Sequence, residues 1–151
     1  MLEKDFNEVY TKFKIKFYQS MFEQIKTREM SLSAVESFCI EIIYAMGNPT
    51  VTEFASFINI SSPNAAYKIN ALIKKGYLNK VQSEDDKREY HLEVTDKYIK
   101  YYNLNKNYVE TVISRLEENI DEDEKKTLSK ILKLMSKELM PEVEAVGNTD
   151  L

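Results

Sequence analysis

Apolar residues recur at three- and four-residue steps at both ends of the chain, while the middle is broken into shorter pieces. Near the start, Leu2, Phe6, Val9, Tyr10, Phe13, Phe17, Met21 and Ile25 follow that spacing and predict one long helix over residues 2 to 26. A stripe this broad needs another long helix to cover it, from this chain or from a second copy. Ser33-x-x-Glu36 has the form of a capping box, in which a hydroxyl and a carboxylate each satisfy an orphan backbone N–H at a helix start. The helix expected after it, Val35 to Met46, is apolar almost all round and reads as the buried centre. Gly47-Asn48-Pro49 then turns the chain. Past Thr95-Asp96 a helix to about Asn119 is expected, with Val109, Val112, Ile113, Leu116 and Ile120 as its stripe. Tyr98, Tyr101, Tyr102 and Tyr108 form an aromatic cluster near its start. Asp121-x-x-Glu124 opens a last helix with Leu128, Ile131, Leu132, Met135 and Leu139 on its apolar face. Pro141 should end it, and the acidic tail beyond is expected to fray.

Between Thr50 and Thr95 the pattern changes. Thr50-Val-Thr-Glu53 is a further capping box, and the short helix after it should bury Phe54, Ala55 and Ile58 before Asn59 interrupts it. Ser62 suits an N-cap and Pro63 the first helical position, where its missing N–H costs nothing. In the helix that follows, Ala65, Ile69, Leu72 and Ile73 share one face, and Asn64, Tyr67, Lys68, Ala71, Lys74 and Lys75 lie opposite or beside it. That outer face carries cations, an amide and a phenol but no carboxylate, the set a groove-reading helix uses. Gly76 fits a left-handed helix end. YLNKVQ and EYHLEV, the latter alternating through Tyr90, Leu92 and Val94, predict a hairpin. Its tip, residues 83 to 88 (SEDDKR), is too polar to pack and should face solvent or a partner. Helix, tight turn, helix and hairpin in this order predict a winged helix-turn-helix.

Composition narrows the picture. Of 151 residues, 43% are hydrophobic and 30% charged, with only 3 Gly and 3 Pro, which favours helix in one globular domain. The expected fold class is therefore mainly α with a small β-wing (α+β), a winged helix-turn-helix flanked by long N- and C-terminal dimerisation helices. The domain reading is 1–151 as one unit, with 33–95 as the DNA-binding part and 1–30 and 96–140 as the helical dimerisation part. No apolar run reaches the length of a membrane span, and MLEKDFNEVY lacks a signal-peptide core. One Cys excludes an internal disulfide and suits a reducing cytoplasm.

The formal charge of −4 runs against nucleic-acid binding, but its distribution answers part of that. Residues 62 to 88 hold six Lys/Arg against three acids, whereas residues 117 to 151 hold five Lys against ten acids. The excess acid lies away from the groove-reading helix, and affinity for DNA should depend strongly on salt.

Candidate chemistry is sparse. There is no Gly-rich phosphate loop, no metal-ligand spacing and no nucleophile–base pair, so neither an enzyme nor a cofactor is expected. His91, the single histidine, sits in a predicted strand and reads as structural. Cys39 lies in the apolar run SFCIEIIYAM, where a thiol behaves as a small hydrophobe and resists ionisation. Phe13, Phe17, Tyr18, Met21, Phe22, Phe38, Tyr44, Tyr101 and Tyr102 read first as core and second as the lining of a ligand cleft.

From Gly76 to Thr95 the chain resembles the wing of the MarR family of bacterial transcriptional regulators. The matching residues are Gly76, Tyr77, Leu78, Lys80, Asp86-Lys87-Arg88 and Val94-Thr95. Upstream, Thr50, Glu53, Phe54, Ala55 and the Leu72-x-x-x-Gly76 exit also fit. Two positions depart from the pattern. Lys87 replaces an Arg and loses the planar fork, and Tyr98 replaces a Gly. The resemblance implies an obligate dimer with interlocked terminal helices, binding double-stranded DNA. Ser62, Pro63, Asn64, Tyr67 and Lys68 would then meet the major groove, and Lys87 and Arg88 the minor groove, with Asp86 shaping the loop. It implies a regulator, more often a repressor, on an inverted-repeat operator, released by a small-molecule effector. A winged-helix protein-interaction module without DNA binding is the alternative, and the acidic balance is its main support.

Overall fold

A computed structural model describes residues 1–27 and 32–143, with side chains described outside 24–27 and 101–107. The elements are α1 (Leu2–Thr27), α2 (Ala34–Met46), α3 (Val51–Phe57), α4 (Ser62–Lys74), β1 (Leu78–Gln82), β2 (Tyr90–Val94), α5 (Asp96–Asn119) and α6 (Glu122–Glu138), then a 3₁₀ turn at Pro141–Val143. The side chains of Ile25, Tyr101 and Tyr102 and the tail from residue 144 onward lie outside the described residues. The chain divides into two compact units, residues 1–30 with 102–141, and residues 31–101 with 142–151.

In the second unit, local chemistry sets each helix start. Capping boxes close at Ser33/Glu36 and Thr50/Glu53, with both reciprocal bonds made in each. α4 is capped one residue earlier than its sequence suggests. Ser61, not Ser62, is the N-cap, its Oγ accepting from the Asn64 backbone N–H. Ser62 thereby becomes the first helical residue and Pro63 follows it. The core is built from Ile40 and Ile43 of α2, Phe54 of α3, Ala65, Ile69 and Leu72 of α4, and Leu78, Leu92, Tyr77 and Tyr98. Ile58, the C-cap of α3, and Ile73 are only half-buried. α2 is less central than its composition suggests, because Val35 and Phe38 remain exposed and only Ser37, Cys39, Ile40 and Ile43 are buried.

The antiparallel hairpin pairs Leu78 with Val94 and Gln82 with Tyr90. Of the alternating residues on β2, Leu92 alone is buried; Val94 is half-buried and Tyr90 lies under the Lys80 ammonium. β2 also reaches back to the turn before α3. Leu92 N–H donates to the Pro49 carbonyl at 2.8 Å, and Thr50 bridges His91. His91 Nδ1 stands 3.0 Å from the Asn48 carbonyl, a structural placement for the single histidine. Tyr98, a departure from the family pattern, fills the core edge-on to Tyr44 at 5.6 Å.

In the first unit, Phe13 of α1 meets Tyr108 of α5 edge-on at 5.8 Å, with the Lys16 ammonium over the same ring. Asp121 caps α6 through a third capping box. α6 has no buried residue.

Candidate nucleic-acid interface

The first two turns of α4 carry Ser62, Pro63, Asn64, Tyr67 and Lys68 together. Burial of Ala65, Ile69 and Leu72 fixes which way the helix faces, and so which residues it presents. Ser62, Pro63, Asn64 and Tyr67 are exposed, and Lys68 is half-buried. Tyr67 is 77% exposed, far more than a phenol placed for packing. The first turn of α4 contains no acid. Lys75 stands apart from the other cations, because its Nζ pairs with Glu36 Oε2 at 2.7 Å; it is part of the fold rather than of the presented face.

Lys87 and Arg88 sit on the wing tip, which is ordered by its own hydrogen bonds. Arg88 Nε and Nη2 donate to the two Asp86 oxygens at 3.1 and 3.0 Å, and Arg88 N–H donates to Asp86 Oδ1. The guanidinium holds Asp86 below the usual carboxylate range. The tip does not lie wholly in solvent, as its polarity suggests. Ser83 is buried, its Oγ accepting from Asp86 N–H and its N–H donating to the Glu89 carbonyl. Gln82 Nε2 braces the far side by donating to the Lys87 carbonyl. Arg88 is nevertheless 90% exposed along its side chain. Its remaining N–H donors face outward, where an anionic partner could reach them, although Asp86 offsets part of its charge.

The alternative chemistry is accounted for. Burial holds the Cys39 thiol above its ordinary pKa, against the Lys68 ammonium. Among the described residues no cluster of three His, Cys, Asp or Glu could hold a metal, and no helix is long and apolar enough to cross a membrane.

Four structural contributors escape a reading of the sequence. Gln82 and Ser83 shape the wing, Pro49 anchors β2, and Glu36 binds Lys75. Only the last has even a weak signal, as opposite charges at two helix ends.

A carboxylate-free helix face after a tight turn, followed by a hairpin whose charged tip exposes Lys87 and Arg88, defines a winged helix-turn-helix. The MarR family model matches residues 32–90, spanning α2 to the first residue of β2. That part of the chain is similar to the MarR family. Over 96 residues it is 25% identical to YpoP, an uncharacterized HTH-type transcriptional regulator of Bacillus subtilis (strain 168), covering 58% of this chain and 68% of that one. A MarR protein from Peptoclostridium difficile is 26% identical, with a TM-score of 0.50 over 92% of this chain and 90% of that one. FabT of Streptococcus pneumoniae, solved in complex with DNA, is 23% identical, with a TM-score of 0.54 over 91% of this chain and 96% of that one.

Proposed function

We propose that this chain is a sequence-specific DNA-binding transcriptional regulator, acting as a homodimeric repressor on an inverted-repeat operator in the cytoplasm. α4 enters the major groove, with Asn64 on a base edge and Ser62, Tyr67 and Lys68 on base edges or phosphates near the helix start. Arg88, with Lys87 beside it, enters the adjacent minor groove, where the negative potential of a narrow groove draws a cation. The observation that carries this reading is the pre-shaped wing. Asp86 and Ser83 hold Arg88 in one place while leaving it exposed.

The dimer reading rests on apolar side chains left uncovered in a single chain. Leu2, Phe6, Val9 and Phe22 of α1, Ile113 of α5, and Ile131 and Leu132 of α6 are all exposed. So much apolar surface suits a second copy. Two-fold symmetry then offers two α4 helices to half-sites about 10–10.5 bp apart. Release of DNA by a small-molecule effector that favours another spacing of the two helices completes the proposal, supported by the resemblance to the MarR family alone.

The test is selection from a random duplex pool at about 0.15 M salt, with wild type and Arg88→Ala. Enrichment of an inverted repeat, weakened by the substitution, is expected. No enrichment from a folded dimer would overturn the proposal in favour of a winged-helix protein-interaction module, the reading that the net charge of −4 favours.

A further inference from the structure

The last turn of α4 is held from two sides by residues that the DNA-reading face does not include. The helix ends in a Schellman arrangement: Gly76 N–H donates to the Ile73 carbonyl, and Tyr77 N–H donates to the Leu72 carbonyl, both at 3.0 Å. Gly76 takes φ +82, the left-handed value this ending needs. Two further carbonyls at this end take side-chain donors from Thr95, just before α5, and from Lys97 in its first turn. Lys97 Nζ donates to the Lys75 carbonyl at 2.9 Å, and Thr95 Oγ1 donates to the Gly76 carbonyl at 2.7 Å. The Lys97 ammonium also lies 4.3 Å from the centre of the Tyr77 ring, a cation at the negative end of the helix. From the other side, Glu36 Oε2 accepts from Lys75 Nζ at 2.7 Å and from Ser33 N–H at 2.8 Å. One carboxylate oxygen thus joins the start of α2 to the end of α4. Its side chain is 16% exposed, so water screens the pair less than it would at the surface.

We propose that Glu36, Lys75 and Lys97 are positioning residues for DNA recognition: a clamp that sets the angle at which α4 is presented, without touching DNA. The inference rests on the DNA-reading proposal and deepens it. Glu36→Gln is a clean probe, because Gln also closes a capping box and only the ion pair is lost. Its direction is diagnostic. Removing a carboxylate from a protein that binds a polyanion raises affinity for any duplex through charge alone. A clamp predicts the reverse for the operator: a loss of about five-fold, with random-duplex affinity unchanged or higher.

Lys75→Met separates two roles in the same way. Loss of a phosphate contact reduces the salt slope by about one, whereas loss of the clamp weakens operator binding at an unchanged slope. Lys97→Met should behave like Lys75→Met, and Lys97→Arg should restore most of the affinity.

The experiment measures binding of the four single variants and of the Glu36→Gln/Lys75→Met double variant to the selected operator and to random duplex across a salt series. Amide exchange at residues 72 to 77 is measured alongside, in the absence of DNA. Support is weaker operator binding by Glu36→Gln and Lys75→Met, less than additive in the double variant, with the slope kept and exchange at the end of α4 raised. Higher operator affinity for Glu36→Gln, or a reduced slope for Lys75→Met, would overturn the clamp. If wild type binds no duplex, the DNA-reading proposal fails and exchange decides the clamp: unchanged exchange in Glu36→Gln and Lys97→Met overturns it as a device of the fold.

Discussion

At the residue scale, two carboxylates five positions apart on α2 titrate in opposite senses. Burial works to raise the pKa of Glu36, but the Lys75 ammonium and the Ser33 N–H outweigh it and leave it lowered. Glu41 is raised by burial, only partly offset by its bond with Tyr98. A lowered carboxylate adds stability above its unfolded pKa, and this is lost as pH falls through the folded value. A raised carboxylate binds its proton more tightly when folded, so its contribution declines as pH rises above the unfolded value. Glu41→Gln is therefore expected to raise the melting temperature at pH 7 and to do little near pH 4. Thermal unfolding at both pH values checks this; an equal effect at each would refute it. Gly76→Ala should cost about 1–2 kcal/mol, since an L side chain at a left-handed position is strained although its Cβ would meet only Lys97 Cδ at 3.9 Å. Denaturant melts read that directly.

At the element scale, most helix starts were legible because they are written in adjacent residues. Ser33/Glu36, Thr50/Glu53 and Asp121/Glu124 each close a reciprocal cap four residues long. α4 was legible except for its cap, since Ser61 and Ser62 offer equally good hydroxyl acceptors for that role and only the backbone separates them. Ser61→Ala is accordingly expected to cost about 1 kcal/mol and Ser62→Ala much less, measured by chemical denaturation; equal costs would return the cap to Ser62. The wing hairpin was legible from alternation and its charged tip, but not its internal bracing. Ser83 reads as a polar tip residue, and only its bonds to Asp86 and Glu89 bury it. Tyr98 reads as a local departure from a family glycine, whereas it fills the core beside Tyr44. The bonds from Pro49 to Leu92 and from Glu36 to Lys75 join residues some forty positions apart, beyond the reach of any local pattern.

At the scale of the whole molecule, the apolar stripes of α1, α5 and α6 outrun what one chain covers. Leu132 lies on α6 among residues that stay exposed. Leu132→Glu should therefore shift the assembly toward monomer and weaken operator binding together, as sedimentation and a parallel binding assay would register. A monomeric wild type would contradict the dimer.

In the proposed complex, α4 reads base edges from its first turns. The most direct test is Asn64→Ala against a panel of single base-pair substitutions across the selected operator. Discrimination is expected to collapse, by about 1–3 kcal/mol, at one symmetry-related pair of positions and to stay intact elsewhere. A uniform loss across the panel, or none, would contradict it.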